Sequence, residues 1–100
     1  MLNINKIANG TELTIALEGR LDTTTSPELE SELKASTDGV TELVFDLKTL
    51  EYISSAGLRV LLAAHKIMMK QGNMTVKNVS EEVMEIFEVT GFADILNIVK

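Results

Sequence analysis

Alternating apolar and polar residues open the chain and predict a β-hairpin. Apolar side chains recur at every second position in Thr11–Glu18, a period typical of a strand with one buried face. The preceding segment, Leu2–Ala8, is a second candidate strand. Between them lies Asn9-Gly10, and both residue types tolerate the positive φ of a tight hairpin turn. We therefore expect these two strands to pair antiparallel.

Helix-start signals and short apolar runs follow the hairpin. Gly19–Thr25 is interpreted as a loop, after which Ser26 can cap a helix that carries Pro27 in its first turn. This helix is expected to end at Asp38-Gly39. The continuous apolar run Leu43–Phe45 is typical of a strand buried on both faces, which predicts a central strand.

Strands and helices continue to alternate along the rest of the chain. Asp46 is expected just past the central strand, with a loop over Lys48–Ser54. The longest helix is predicted over Ser55–Gln71, with Gly72 as a left-handed stop. The remaining predictions are a strand at Met74–Lys77, a helix from the cap residue Ser80 to Gly91, and a short strand near Ile95–Ile98. Strand–helix–strand units favour parallel pairing, whereas the hairpin is antiparallel, so we expect a mixed sheet. The whole chain, residues 1–100, is expected to form one α/β domain.

The long helix is apolar over more than half of its circumference. At about 100° per residue, one narrow arc holds Arg59, Ala63, Lys66 and Lys70. This arc predicts a single solvent-facing stripe, which is basic. Met68 and Met69 fall outside it and are expected to pack in the core.

The serines at the start of this helix have two interpretations. Ser54 or Ser55 can act as a plain N-cap that accepts a hydrogen bond from a free N–H of the first turn. The same helix end tolerates an anion, so a phosphate on Ser55, bringing roughly −1.5 to −2 charges, would be accepted there with Arg59 one turn away. Gly57 is also open to two explanations, close packing or a flat turn that lets a partner reach Ser55.

Composition and charge argue against several function classes. Of 100 residues, 45% are hydrophobic and 24% charged, which is ordinary for a globular domain. Fifteen acidic against nine basic residues give a net charge of −6, which opposes binding to nucleic acid and to anionic membranes. No apolar run approaches the roughly 18 residues of a membrane span, and no signal-peptide pattern is visible. We therefore expect a cytoplasmic protein.

The sequence lacks the residue combinations that common enzymatic sites require. His65 is the one histidine, and ten residues of helix, about 15 Å, separate it from Ser55, whereas a Ser–His pair needs about 3 Å. The chain contains no cysteine and no glycine-rich phosphate loop. We expect no catalytic residue, no metal and no cofactor, and we interpret His65 as a packing residue.

Four segments together resemble the anti-sigma-factor antagonists, a family of the STAS class. They are GRLDTTTSPEL (19–29), LVFDLKTLEYISSAGL (43–58), the overlapping ISSAGLRVLL (53–62) and NVSEEVMEIFEVTGF (78–92). The resemblance covers nearly the whole chain. It implies a STAS-type fold, in which a mixed β-sheet with an N-terminal hairpin and parallel central strands has helices packed against it.

The resemblance also implies a phosphorylation site and a switch surface. The family motif is Asp-Ser-X-Gly, with the serine phosphorylated, and alignment on Gly57 places that serine at Ser55 and X at Ala56. Ser54 stands where the family has aspartate and becomes an alternate site. The implied partner-binding surface consists of Asp22, Thr23, Asp46, Ser54, Ala56, Gly57 and Arg59, with both aspartates near Ser55. For the two aspartates, loop capping and strand termination are the competing explanations.

The function implied by the resemblance is partner switching without catalysis by this chain. The unphosphorylated form would bind a serine-kinase anti-sigma factor with a GHKL-type ATPase fold and release that kinase's client, usually a sigma factor. The kinase would phosphorylate the serine, and a metal-dependent serine phosphatase would reverse the reaction. Two alternatives remain, an interaction subunit of a stress-signalling or lipid-transport assembly without a phosphoswitch, and a plain structural scaffold.

Overall fold

The structure, a computed structural model, describes residues 2–99. In this range, five strands form one mixed sheet. Met1 and Lys100, which belong to the predicted domain of residues 1–100, lie outside the described residues. The strands are β1 Leu2–Asn9, β2 Glu12–Leu21, β3 Glu42–Ile53, β4 Asn73–Lys77 and β5 Ile98–Val99. The helices are α1 Ser26–Ser36, α2 Ser55–Gln71, α3 Glu81–Thr90 and α4 Phe92–Ile95.

The strands lie in the order β1-β2-β3-β4-β5, so β3 is central as predicted. β1 and β2 pair antiparallel, and the other neighbours pair parallel. The predicted hairpin turn is one residue too early, because Asn9 already pairs with Glu12. The turn is Gly10-Thr11, in which Gly10 has a φ of 64°. A glycine at the first turn position is the signature of the type II′ hairpin turn.

Both β2 and β3 run further than predicted. Gly19–Leu21, predicted as loop, completes β2, and the predicted loop Lys48–Ser54 is strand up to Ile53. Asp46 therefore lies inside β3 rather than past its end. The β2–β3 register shifts twice along this stretch, because β3 uses extra residues opposite β2. As a result, buried positions there recur at every third residue: Leu47, Leu50 and Ile53.

One face of the sheet carries the core. Its strand contributions include Leu13, Ile15, Leu17, Leu43, Phe45 and Val76. The helices cover them with Leu29 and Leu33 of α1, Leu58, Leu61, Ala64 and Met68 of α2, and Val83 and Phe87 of α3. The residues that alternate with these on the strands are half-buried and face the opposite side: Thr14, Ala16, Val44, Asp46, Thr75 and Lys77. The helices thus leave one sheet face open, as a two-layer α/β arrangement requires.

Helix α2 has its predicted bounds, Ser55–Gln71, and its basic stripe is exposed. Met68 is buried, but the packing prediction is wrong for Met69, which is 71% exposed because it lies next to the stripe at Lys70. Gly72 is not a left-handed stop, since its φ of 173° is extended backbone that leads directly into β4. Of the helices within residues 2–99, none has both the length and the hydropathy that crossing a membrane requires.

The caps of the other helices follow the predictions in part. Ser26 is not the cap of α1, because its hydroxyl donates to the carbonyl of Asp22 at 2.6 Å and Thr25 occupies the N-cap position. Ser80 does cap α3 by accepting from the N–H of Val83 at 3.3 Å, and Gly91 follows with a left-handed φ of 83°. The terminal strand begins later than predicted, because α4 takes up residues 92–95.

Candidate switch site at the start of α2

The first turn of α2 is anchored where β3 ends. The N–H of Ser54 donates to the carbonyl of Leu21 at 2.8 Å, which extends the β2–β3 pairing to the residue before the helix. The Ser54 hydroxyl accepts from the N–H of Gly57 at 3.4 Å, and the Ser54 carbonyl accepts from Leu58 at 2.9 Å. Ser54 is therefore the N-cap. Ser55 is the first helical residue, and its side chain is exposed.

Gly57 is buried and allows α2 to lie close to the sheet. A Cβ at this position would stand 2.7 Å from Cγ of Leu21 and 2.9 Å from Cγ1 of Ile53. Both distances are shorter than van der Waals contact. Close packing therefore accounts for this glycine, and a contact between Gly57 and a partner stays a prediction.

Asp22 organises the loop that precedes α1, immediately after the carbonyl that anchors Ser54. Its Oδ1 accepts from the backbone N–H groups of Thr24 and Thr25, each at 3.0 Å. The Thr25 hydroxyl accepts from the N–H of Asp22 at 2.9 Å and donates to the carbonyl of Arg20 at 2.9 Å. The hydrogen bond from the Thr25 N–H, above all, holds the pKa of Asp22 below its ordinary value. Loop capping thus explains Asp22, and a partner contact stays a prediction.

The lowered pKa of Asp22 predicts acid-sensitive stability. A carboxylate whose folded pKa lies below its unfolded value of about 3.9 stabilises the fold above that value, and the contribution is lost as pH falls through the folded pKa. Asp22→Asn keeps an acceptor oxygen but removes the charge. We expect wild type to be more stable than Asp22→Asn at pH 6 and this difference to shrink towards pH 3 in urea unfolding. A difference that does not change with pH would contradict the assignment.

A cleft between α1 and α2 adjoins Ser55. It has a volume of about 210 Å³ and is lined by Thr23, Ser26, Pro27, Glu30, Ala56, Arg59 and Val60. Three of the predicted switch residues, Thr23, Ala56 and Arg59, therefore share one surface beside the exposed serine.

The family of this chain follows from the match to a family model. The STAS domain model matches residues 3–100. The chain belongs to the STAS domain family.

Sequence relatives and solved structures are similar to this STAS domain over most of its length. The Bordetella bronchiseptica protein "Putative anti-sigma factor antagonist BtrV" is 41% identical over 85 residues, covering 83% of this chain and 73% of that protein. The "Anti-sigma-B factor antagonist" of Bacillus subtilis is 29% identical over 98 residues, covering 97% and 90%. The Bacillus cell fate determinant SpoIIAA in its phosphorylated form has the same fold, with a TM-score of 0.74 at 16% identity, covering 100% and 92%. The predicted STAS-type fold is confirmed.

Asp46 of this STAS domain lies far from the exposed serine, so its predicted proximity to Ser55 is wrong. Asp46 pairs with Ala16 of β2, five residues before Leu21, the residue that anchors the start of α2. Five residues of strand span about 17 Å. The resemblance implied this proximity, but β3 continues past Asp46 to Ile53 before α2 begins.

The contacts of Asp46 are structural. Its Oδ1 accepts from Nδ2 of Asn78 at 3.0 Å and from the N–H of Lys48 at 3.1 Å. Burial raises the pKa of Asp46, but these two hydrogen bonds and the positive charges of Lys77 and Lys48 together outweigh it, and the pKa is lowered. Asn78 has a positive φ of 57° in the turn after β4. Asp46 therefore ties β3 to that turn instead of terminating a strand.

His65 and the possible metal ligands form no second site in the described range. His65 is half-buried and lines a separate groove of about 530 Å³ with Met68 and Met74, which fits a packing role. Among residues 2–99, no group of three or more His, Cys, Asp or Glu side chains is arranged to hold a metal ion.

Sequence reasoning missed one exposed pair beside this site. Arg20 and Tyr52 are cross-strand neighbours on β2 and β3, and the guanidinium carbon lies 4.5 Å from the ring centroid. The sequence pattern predicts loops for both segments, so it gives no strand pairing that would bring Arg20 and Tyr52 together. The sequence contains no regular alternation around Tyr52 that could have placed it on a strand, because buried positions in this part of β3 recur at every third residue.

Proposed function

We propose that this STAS domain is an anti-sigma-factor antagonist whose binding to its partner is controlled by phosphorylation of Ser55. One observation carries the proposal: Ser55 is exposed at the first position of α2, while its neighbours Ser54 and Gly57 fix the backbone to the sheet. A kinase can therefore reach the hydroxyl of a rigidly held residue without unfolding the domain. The names of the two relatives support the antagonist role.

Ser55 is a better phosphate acceptor than the alternate site, Ser54. The Ser54 hydroxyl already caps α2, and losing such a cap typically costs about 0.5–2 kcal/mol. A phosphate on Ser55 leaves this cap in place and stands at the positive end of the helix dipole. That a protein of the same fold exists in a phosphorylated form supports phosphorylation as the means of control.

The switch acts on the docked partner. The unphosphorylated surface around Ser55, which includes Thr23, Ala56 and Arg59, would bind a serine-kinase anti-sigma factor with a GHKL-type ATPase fold and displace its client. Phosphorylation then places roughly −1.5 to −2 charges inside the interface, and the complex dissociates. A metal-dependent serine phosphatase would restore the binding form. The proposal places the chain in the cytoplasm, where ATP supplies the phosphate, and gives it no catalytic role.

Intact-mass analysis tests the site directly. The wild-type chain, incubated with ATP and the purified serine-kinase anti-sigma factor from the same genome, is expected to gain one phosphate. Ser55→Ala should gain none, because the acceptor oxygen is absent, and Ser54→Ala, the matched control, should gain one. A phosphate gained by Ser55→Ala would show that another residue is the phosphate acceptor. A wild type that gains none would favour a STAS interaction subunit without a phosphoswitch.

A further inference from the structure

Arg20 and Tyr52 form an exposed pair at the edge of the sheet where β2 and β3 end. Tyr52 is 36% exposed, and Arg20 is exposed above its ring at 4.5 Å from the centroid. The next residues on each strand, Leu21 and Ile53, face Gly57 of α2. Because successive strand residues alternate, the pair points to the open face of the sheet.

The guanidinium of Arg20 forms no ion pair with a carboxylate among residues 2–99. The ion pair in this range joins Lys6 and Glu32. Glu18, two residues before Arg20 on the same strand, instead accepts from Nδ2 of Asn3 at 2.9 Å. The ring holds the guanidinium by a cation–π interaction and leaves its N–H donors available. Those donors match the two oxygens of a carboxylate.

The pair lies near the end of the sheet from which α2 begins, close to Ser55 along the chain. Ser55 is the third residue after Tyr52, so their Cα atoms are at most about 11 Å apart. An interface of the typical size, about 800 Å² on each partner, is wide enough to include both positions. Tyrosine and arginine are the residue types that dominate binding energy at interfaces, and a pair held together before binding loses less entropy on docking.

We propose that Arg20 and Tyr52 are a second contact for the protein that binds at Ser55 and that Arg20 receives a carboxylate of that partner. This inference rests on the proposed function. The net charge of −6 disfavours an acidic side chain over the molecule as a whole, so a partner carboxylate is expected beside an exposed cation. Arg20 is such a cation, and Tyr52 supplies the apolar area next to it.

Calorimetric titration with the kinase that phosphorylates the wild-type chain, using unphosphorylated variants, tests the pair. We expect Arg20→Ala and Tyr52→Ala each to weaken binding about tenfold or more, and the double variant to lose much less than the product of the two. Arg20→Glu should bind more weakly than Arg20→Ala, because it opposes the carboxylate. Tyr52→Phe keeps the ring and should bind like wild type. Lys34→Ala, which removes one exposed positive charge at the far end of α1, should stay within twofold.

The outcomes separate this inference from the proposed function. If Arg20→Ala and Tyr52→Ala both bind within twofold of wild type, the pair is not a contact, while the phosphate gain at Ser55 still stands. If Arg20→Glu binds no more weakly than Arg20→Ala, the partner group is not a carboxylate, and the inference is overturned. If no such kinase phosphorylates the wild-type chain, both proposals fail. Thermal unfolding of each variant confirms that a loss of affinity does not reflect a loss of folding.

Discussion

Ser55→Asp is expected to weaken binding to the serine-kinase anti-sigma factor about 100-fold, or about 2.7 kcal/mol. The substitution places one permanent negative charge at the exposed first position of α2, inside the proposed interface. An unpaired or opposed charge in an interface costs several kcal/mol. Because phosphoserine carries roughly −1.5 to −2 charges, the aspartate sets a lower limit for the effect of phosphorylation. Calorimetric titration of the two purified proteins measures it.

Ser55→Asn is the matched control, since it has nearly the same shape as aspartate without the charge. We expect its affinity to lie within a few-fold of wild type. The fold should tolerate Ser55→Asp, because an acidic residue in the first turn of a helix is favourable by about 0.3–1 kcal/mol. Equal losses for aspartate and asparagine would show that shape, rather than charge, governs docking at Ser55.

The elements with strong local signals could be predicted from the sequence. Helix α2 has its predicted bounds because the Ser54 cap, the 3.6-residue period and the glycine at 72 are all local features. The hairpin was also predicted, since alternation in β2 and the adjacent glycine are contained in a short window.

The second half of β3 could not be predicted in this way. Its extra residues opposite β2 change the spacing of buried positions from two to three, so that Leu47, Leu50 and Ile53 match no simple strand pattern. That error also misplaced Asp46, which the resemblance had put near Ser55. Register between strands depends on pairing partners far apart in the sequence, which periodicity within one strand does not reveal.

Two glycines, one in the first turn of α2 and one just after its end, also depend on contacts that periodicity within one element does not reveal. Gly57 faces Leu21, and Gly72 approaches Thr41, so each glycine is required by a residue much earlier in the sequence. The sequence pattern left Gly57 open to two explanations, close packing or a flat turn that lets a partner reach Ser55. It attributed Gly72 to a left-handed turn because a glycine after a helix most often has that role. The actual reason lies in tertiary contact, which becomes visible only when the two segments are placed side by side.

Close approach of two backbone segments makes Gly72 the position where a single methyl group should be most damaging. A Cβ there would stand 2.0 Å from the carbonyl oxygen of Thr41, and this oxygen also accepts from the N–H of Asn73 at 2.9 Å. The preceding residue, Gln71, donates through Nε2 to the carbonyls of Thr37 and Val40 at 2.7 and 2.6 Å. These bonds hold the end of α2 against the segment that leads into β3. Neither backbone can move away without breaking them.

We expect Gly72→Ala to lower the free energy of unfolding by about 3 kcal/mol or more, at the upper end of overpacking effects, because the clash is with backbone. Urea unfolding followed by circular dichroism measures the loss. Gly39→Ala is the control: Gly39 has a φ of 79°, and a methyl group there would meet no atom of another segment within 4 Å, so only backbone strain of about 1 kcal/mol is added. If Gly72→Ala were no less stable than Gly39→Ala, the contact with Thr41 would not be what requires glycine at this position. A larger loss for Gly72→Ala would show that the junction between α2 and β4, at the opposite end of the helix from Ser55, requires glycine.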